Sequence, residues 1–278
     1  MHHRYRAFSF VDRISLLEPG VRVAGSWQIP PGLPRFPLSL VAEATGQLAA
    51  WSAMAAIDFS HRPVAGIAGR VELLGDAAPG QTLELSAELE TADAEAVAYG
   101  GLASVDGIPV LRLHHCVGPM MPAGEFDDPA AMRERLAVLC GAGAEPGAFR
   151  GVPEFALEEL VVETGGIARA RLQVPGEAPF FEDHFPRRPV FPGTLLMNMN
   201  LKLVDALAGS IPPETGRWAA RAVCDMKLRA FIPPGSGLDL EAKVLEHSAA
   251  ALLVSVQTKA GGRLQGAARV ELAAITGK

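Results

Sequence analysis

His184, Gly193 and the helix behind them hold the densest chemistry of this 278-residue chain. They lie in FFEDHFPRRPVFPGTLLMNMNLKLVDAL, residues 180–207. An imidazole titrates near neutrality and can take a proton in a reaction. Bounding prolines predict a tight loop for His184. Pro192-Gly193 then opens a run, Thr194 to Leu207, without Pro or Gly and apolar at helical spacing, which predicts a buried helix. The first turn of such a helix has N–H groups without intrahelical partners and the positive end of the dipole, so it can receive a carbonyl oxygen or an oxyanion. On composition alone the same residues also fit a surface-loop histidine ahead of a core helix.

The elements that must position these groups fall into two similar series. Residues 8–29 predict two strands about a Glu-Pro-Gly turn, and Leu38 to Phe59 predict a helix apolar on almost every side, its last turn already loop. Four antiparallel strands follow, with Asp106-Gly107 as a hairpin turn. The texture changes over 119–152, where Pro, Gly, Glu and Asp surround one short helical candidate, DPAAMRERLAVL. This stretch reads as a linker. After it the order repeats: a hairpin about Gly165-Gly166, the His184 loop, a buried helix and four strands. AFIPPGSGLDLEAKV echoes ELLGDAAPGQTLELSAEL, strand, Pro-Gly turn, strand. Two copies of one fold account for this better than one large domain. The expected division is 1–121, a linker at 122–150, and 151–278.

Composition narrows the function classes. Hydrophobic residues make up 49% and charged residues 20%, a globular balance. A net charge of −6 without a basic block argues against a nucleic-acid partner. Cys116, Cys140 and Cys224 form no CxxC pair. Their odd number and a charged N-terminus without a secretory pattern predict a reducing, cytoplasmic setting. No apolar run is long enough to span a membrane. His2, His3, His61, His114, His115 and His247 show no metal-ligand spacing with a carboxylate, so no metal is expected. His114 and His115, adjacent in a strand, should face opposite sides.

FFEDHFPRRPVFPGTLL resembles the catalytic-loop signature of the beta-hydroxyacyl-acyl-carrier-protein dehydratases, in which His-Phe-Pro-Gly-x-Pro-Val-Met-Pro-Gly opens the central helix. It departs at Arg187, where the family has Gly, and at Phe191, where it has Met. HHRYRAFSFVDRISLLEPGVRV looks like the family's first strand pair. The resemblance implies an α+β fold, the hotdog, in which an antiparallel sheet wraps a long central helix. Here it would be doubled. The family's second catalytic residue is a carboxylate fourteen positions after the His, and this chain has Asn198 there, an amide that cannot act as a proton donor or base. The first half answers this. FPLSLVAEATGQ resembles the family's helix start, with Glu43 in the carboxylate position and Gln47 after it. That half lacks the His loop and has Leu38 where the helix-opening Gly belongs. If the halves pair as the family's subunits do, one composite site survives, with His184 and Gly193 from the second copy and Glu43 from the first. The reciprocal site, around Asn198 and Leu38, would be degenerate.

The implied reaction is dehydration of a (3R)-3-hydroxyacyl thioester to the trans-2-enoyl thioester. His184 is the expected base at C2, Glu43 the acid that protonates or orients the C3 hydroxyl, and the Gly193 N–H the donor to the thioester carbonyl. A carboxyl in an apolar helix should have a raised pKa, which suits an acid. No cofactor is expected beyond the phosphopantetheine that carries the substrate. The expected partner is an acyl carrier protein or an acyl-coenzyme A. Arg187, Arg188, Lys227 and Arg229 are the candidate docking cations, with Phe185 and Pro192 beside the substrate. The chain would be a monomeric pseudo-dimer or a homodimer of double hotdogs. A hotdog acyl-thioesterase and a non-catalytic acyl-binding or scaffold protein are the alternatives.

Overall fold

A computed structural model describes residues 5–211, 213–214 and 216–276. In chain order its elements are β1 (Arg13–Glu18), β2 (Arg22–Gln28), α1 (Leu38–Ala56), β3 (His61–Pro63), β4 (Ile67–Leu73), β5 (Thr82–Ala92), β6 (Ala96–Val105) and β7 (Ile108–Pro122). A 3-10 turn (Ala123–Glu125) and α2 (Pro129–Cys140) lead to β8 (Glu158–Glu163), β9 (Ile167–Gln173), α3 (Pro179–His184) and α4 (Gly193–Gly209). The chain ends on β10 (Arg217–Leu228), β11 (Gly237–His247), β12 (Ala251–Ala260) and β13 (Arg263–Ile275).

The strands form one antiparallel sheet in the order β1-β2-β5-β6-β7-β4-β10-β13-β12-β11-β9-β8, with β3 added beside β7. The order is a palindrome about β4 and β10. These two pair antiparallel, Val71 opposite Val223 and Ile67 opposite Lys227, so the sheets of the two halves are hydrogen-bonded edge to edge. Each half curls its sheet about one helix, α1 in the first and α4 in the second. The fold is therefore α+β in a fused double-hotdog arrangement. Alternating strands explain the curl: β5 buries Leu83, Leu85 and Ala87 against α1 and exposes the residues between them. Gly101 on β6 lets the helix come close, because a Cβ there would press on the Thr45 side chain. Asp106 and Gly107 both have positive φ, 51° and 74°, as a two-residue hairpin turn requires. α1 and α4 contact each other across the middle, and Leu40, Val41 and Leu48 on one and Leu195, Leu196 and Met199 on the other are buried. Among the described residues no helix is long and apolar enough to cross a membrane.

Two expectations change. His184 ends a short helix, not a loop: Pro179 fits a first helical position, Glu182 favours the first turn, and Phe180 and Phe181 anchor it in the core. The segment read as a linker is packed. Asp128 caps α2 by accepting from the Ala130 N–H, and Phe126, Met132, Leu139 and Phe149 are all buried. Phe149 lies against Phe10, Trp27 and Phe36, with ring centroids 5.0, 6.0 and 6.3 Å away. Its Pro- and Gly-rich texture hid this because only a few apolar anchors do the packing. Phe149→Ala should therefore lower unfolding free energy by about 3 kcal/mol, measured by denaturant titration, where a solvated tether would change it by less than about 0.5 kcal/mol.

Candidate active site

The two helix starts and α3 converge on a cavity of about 790 Å³ that is walled mostly by apolar side chains. His184, Glu43 and Gly193 all line it. His184 Nε2 lies 3.9 Å from Glu43 Oε1, across the boundary between the halves, and their side chains are only 14% and 13% exposed. The His184 ring stands between Phe8, edge-on with its centroid 5.2 Å away, and Phe185, 4.1 Å away.

Glu43 is held by two donors. Gln47, one helical turn on, donates from Nε2 to Oε1 at 2.9 Å, and Thr194 at the start of α4 donates from Oγ1 to Oε2 at 2.7 Å. Gln47 is fixed in turn: its Nε2 also donates to the Phe8 carbonyl at 3.0 Å and its Oε1 accepts from the Phe10 N–H at 2.9 Å. Asp183 pins the same N-terminal segment, accepting from the N–H groups of Tyr5, Ala7 and Phe8 and from the Ser9 hydroxyl. The segment thus closes one side of the cavity over the imidazole.

Burial sets the charge states. Desolvation pushes the Glu43 carboxyl above the usual carboxylate range, although its hydrogen bonds from Thr194 and Gln47 and the Arg62 guanidinium pull the other way. Desolvation, with Arg62 second, drives His184 down to about 3, and the backbone at Val190 opposes this only in part. Among the described residues no group meets hydrogen-bond geometry at the buried Nδ1. The pair is therefore a neutral imidazole facing a carboxyl that holds its proton more firmly than an exposed one. Such a pair can accept a proton on one side and give one on the other.

Gly193 is the first residue of α4, capped by the extended Pro192, so its N–H has no intrahelical acceptor. A Cβ at Gly193 would collide with the Leu228 side chain on β10, which explains the glycine sterically as well. Phe185, Lys227 and Arg229 also line the cavity, the two cations exposed at the end of β10 and just beyond it. Pro192 is buried behind the wall. Arg187 donates to the Gly124 carbonyl at 2.9 Å, and Arg188 pairs with Glu125 at 3.6 Å and covers the Phe231 ring, so both face the joining segment. Asn198 and Leu38 are half-buried and stand apart from the cavity wall. Sequence reading missed Thr194, Asp183, Arg62 and Asp127 at the site. Thr194 had a signal, a hydroxyl beside the helix-opening glycine; the others act through contacts 65 to 178 residues away in sequence.

His114 sits 3.3 Å from Glu72, while His115 has a left-handed backbone, φ 51°, that interrupts strand alternation. Among the described residues no group of His, Cys, Asp and Glu is placed to hold a metal ion. His2 and His3 lie outside the described residues.

Residues 161–264 match the ApeI-like family, described as ApeI dehydratase. This stretch includes His184 and Gly193; Glu43 lies outside it. The chain is 31% identical over 87 residues to the 3-hydroxyacyl-[acyl-carrier-protein] dehydratase FabZ of Streptococcus thermophilus, 31% of this chain and 62% of that protein. A similar protein of Moorella thermoacetica is 33% identical over 88 residues, again 31% of this chain and 62% of the relative. The chain thus spans under two thirds of the length of these relatives. Among solved structures, the 12:0-ACP thioesterase from Umbellularia californica superposes with a TM-score of 0.56 at 12% identity, over 90% of this chain and 93% of that one. A MaoC-like dehydratase gives 0.51 at 13% identity, over 93% and 98%. At these identities the structural likeness is one of fold. The second half therefore carries a dehydratase-like hotdog domain.

The His184 environment predicts a signed pH effect. Its folded value, about 3, lies below the ordinary 6.5, so the folded state binds fewer protons between them. This contribution to stability is complete above pH 6.5 and is lost as pH falls toward 3. Glu43, shifted upward, acts in the opposite sense, losing stability as pH rises above 4.5. His184→Gln should therefore show a smaller drop in Tm than the unaltered chain between pH 6.5 and 4, measured by scanning calorimetry.

Proposed function

We propose that the chain is a hotdog enzyme of acyl thioesters whose composite site dehydrates (3R)-3-hydroxyacyl thioesters. In this reading residues 1–121 supply Glu43, residues 151–278 supply His184 and Gly193, and 122–150 join them. The observation that carries it is the 3.9 Å approach of His184 Nε2 to Glu43 Oε1 in one largely apolar cavity.

The thioester carbonyl accepts from the Gly193 N–H at the positive end of α4, which stabilises the enolate-like oxygen as charge develops. Neutral His184 takes the proton from C2. The C2–H electron pair forms the double bond as the C3–O bond breaks, and the protonated Glu43 gives its proton so that the hydroxyl leaves as water. The pair is left as imidazolium and carboxylate. Desolvation disfavours both, so the proton returns from His184 to Glu43 and the site resets. Excluding bulk water strengthens each of these interactions. Thr194 and Gln47 keep the Glu43 carboxyl aimed at the substrate. Lys227 and Arg229, exposed at the rim, are assigned to the carrier: an acidic carrier protein or the phosphate of its arm would meet them first.

A thioesterase reading draws on the same fold and the same carboxyl. There Glu43 would activate water against the thioester carbonyl and would have to be ionised. Its net upward shift, set by desolvation against the two hydrogen-bond donors, supports the acid role and hence the dehydration reading. The HFP-x-x-PV-x-PG run, residues 184–193, supports the same choice through its resemblance to the dehydratase signature.

The test is an assay across 3-hydroxyacyl chain lengths on carrier protein and coenzyme A, following enoyl formation and thiol release in parallel. The expected result is enoyl product, reduced about 100-fold or more by His184→Ala and by Glu43→Gln, with Asn198→Ala within about threefold of the unaltered chain. Thiol release that depends on Glu43, without enoyl product, would replace dehydration by hydrolysis.

A further inference from the structure

Arg62 lines the cavity but has no part in the reaction drawn above. It sits on β3, the short strand added beside β7, and its side chain is 16% exposed. Its Nη1 donates to Asp127 Oδ2 at 3.3 Å, and its guanidinium lies 4.3 Å from the centroid of the Phe185 ring, the residue after His184. Asp127 itself is 4% exposed on its side chain. A guanidinium and a carboxylate so deeply buried carry a desolvation cost that a well-packed apolar pair would avoid. Stability alone is a poor reason for them to be here.

The segment that supplies Asp127 also grips the His184 loop from outside. The Arg187 N–H donates to the Phe126 carbonyl at 3.0 Å and its guanidinium to the Gly124 carbonyl at 2.9 Å. The Phe126 ring lies 5.2 Å from that of Phe185, and with Val64 and Val190 the two form a small core of their own. The loop after α3 is thus contacted both by residues 124–127 and by Arg62.

We propose that Arg62 is a positioning residue for His184, held by Asp127 and stacked on Phe185, so that residues 124–127 of the joining segment belong to the active site. The catalytic part of this rests on the dehydratase reading; the positional part does not. Stacking a planar cation on Phe185 fixes the ring that flanks the imidazole. The fixed charge adds a second effect, because a cation in this low-dielectric space disfavours imidazolium and keeps His184 a base. Among the described residues, the other charged and titratable groups around the space are Glu43 from α1, Tyr5 from the N-terminal segment, Tyr99 and Cys116 from β6 and β7, Asp127 and Arg135 from the joining segment, Asp183 from α3, and Lys227 and Arg229 from the rim. Among the described residues Arg62 is the cation that bears on His184. Lys227 and Arg229 are exposed and screened by solvent.

Two measurements on the full chain test this. The first is NMR titration of the His184 imidazole, its signal identified by its absence in His184→Gln. Arg62→Met should raise the pH of protonation by about one unit, and Arg62→Lys, which keeps the charge, should leave it near the original value. The second compares stability with turnover. Arg62→Met alone should destabilise by removing the guanidinium paired with the buried Asp127, and the double variant Arg62→Met, Asp127→Leu should recover stability. The double variant should still show kcat lowered about tenfold or more with KM within about threefold. A His184 titration unchanged in Arg62→Met, or recovery of full kcat in the double variant, would overturn the proposal. If the unaltered chain dehydrates no hydroxyacyl thioester, the dehydratase reading fails and the titration still decides the role of Arg62.

Discussion

A carboxyl group in a largely apolar cavity must be hydrogen-bonded, and the hydrogen bond from Thr194 to Glu43 meets that demand across the middle of the molecule. Its two ends belong to different halves, so the first turn of α4 has to meet α1 at one register. The β4–β10 pairing fixes the sheets, and the helix contact fixes the depth. Gln47 extends the constraint outward: by binding both Glu43 and the backbone at Phe8 and Phe10, it ties the carboxyl to the segment that covers the imidazole. His184 is consequently flanked by Phe8 and Phe185, and Glu43 is held by Thr194 from the other half and by Gln47 on its own helix.

Much of this was legible in the sequence, for reasons that differ by element. α1 and α4 stand out because each is a long apolar stretch with a proline at its start, and strands such as β5 alternate because one face is buried and one is wet. The repeated strand–turn–strand order disclosed two copies. The composite pair followed from matching losses, a missing carboxylate at Asn198 and a missing loop before Leu38. The short helix ending at His184 was less legible, since six residues make too little periodicity to read. Arg62 and Asp127 left no local trace: their pairing spans 65 residues and joins a three-residue strand to a segment of linker-like composition. Interactions of that kind are set by the folded path of the chain.

The two halves share an architecture while their interiors have diverged. In the first, α1 carries small residues, Ala42, Gly46 and Ala50, along the face that lines the cavity, leaving room beside Tyr99 and Cys116. In the second, α4 is packed with Leu and Met, and Asn200 on that helix accepts from Thr258 within the sheet at 3.3 Å. Space was kept where the carboxyl is and filled where it is absent. Met54, Met121, Met132, Met197 and Met226 all reach the cavity, and such flexible thioether side chains can adjust to guests of different shape.

Edge-to-edge pairing of β4 with β10 has a further consequence once the two partners share a chain. In a symmetric dimer every substitution strikes both copies of the site, so a helix cannot give up its carboxylate without abolishing activity altogether. Covalent joining lifts that coupling, and each half is free to specialise. It also removes dilution as a hazard: the effective concentration of one half at the other is set by the tether and not by expression level, so a cavity lined by both can persist at abundances where a separable pair would fall apart.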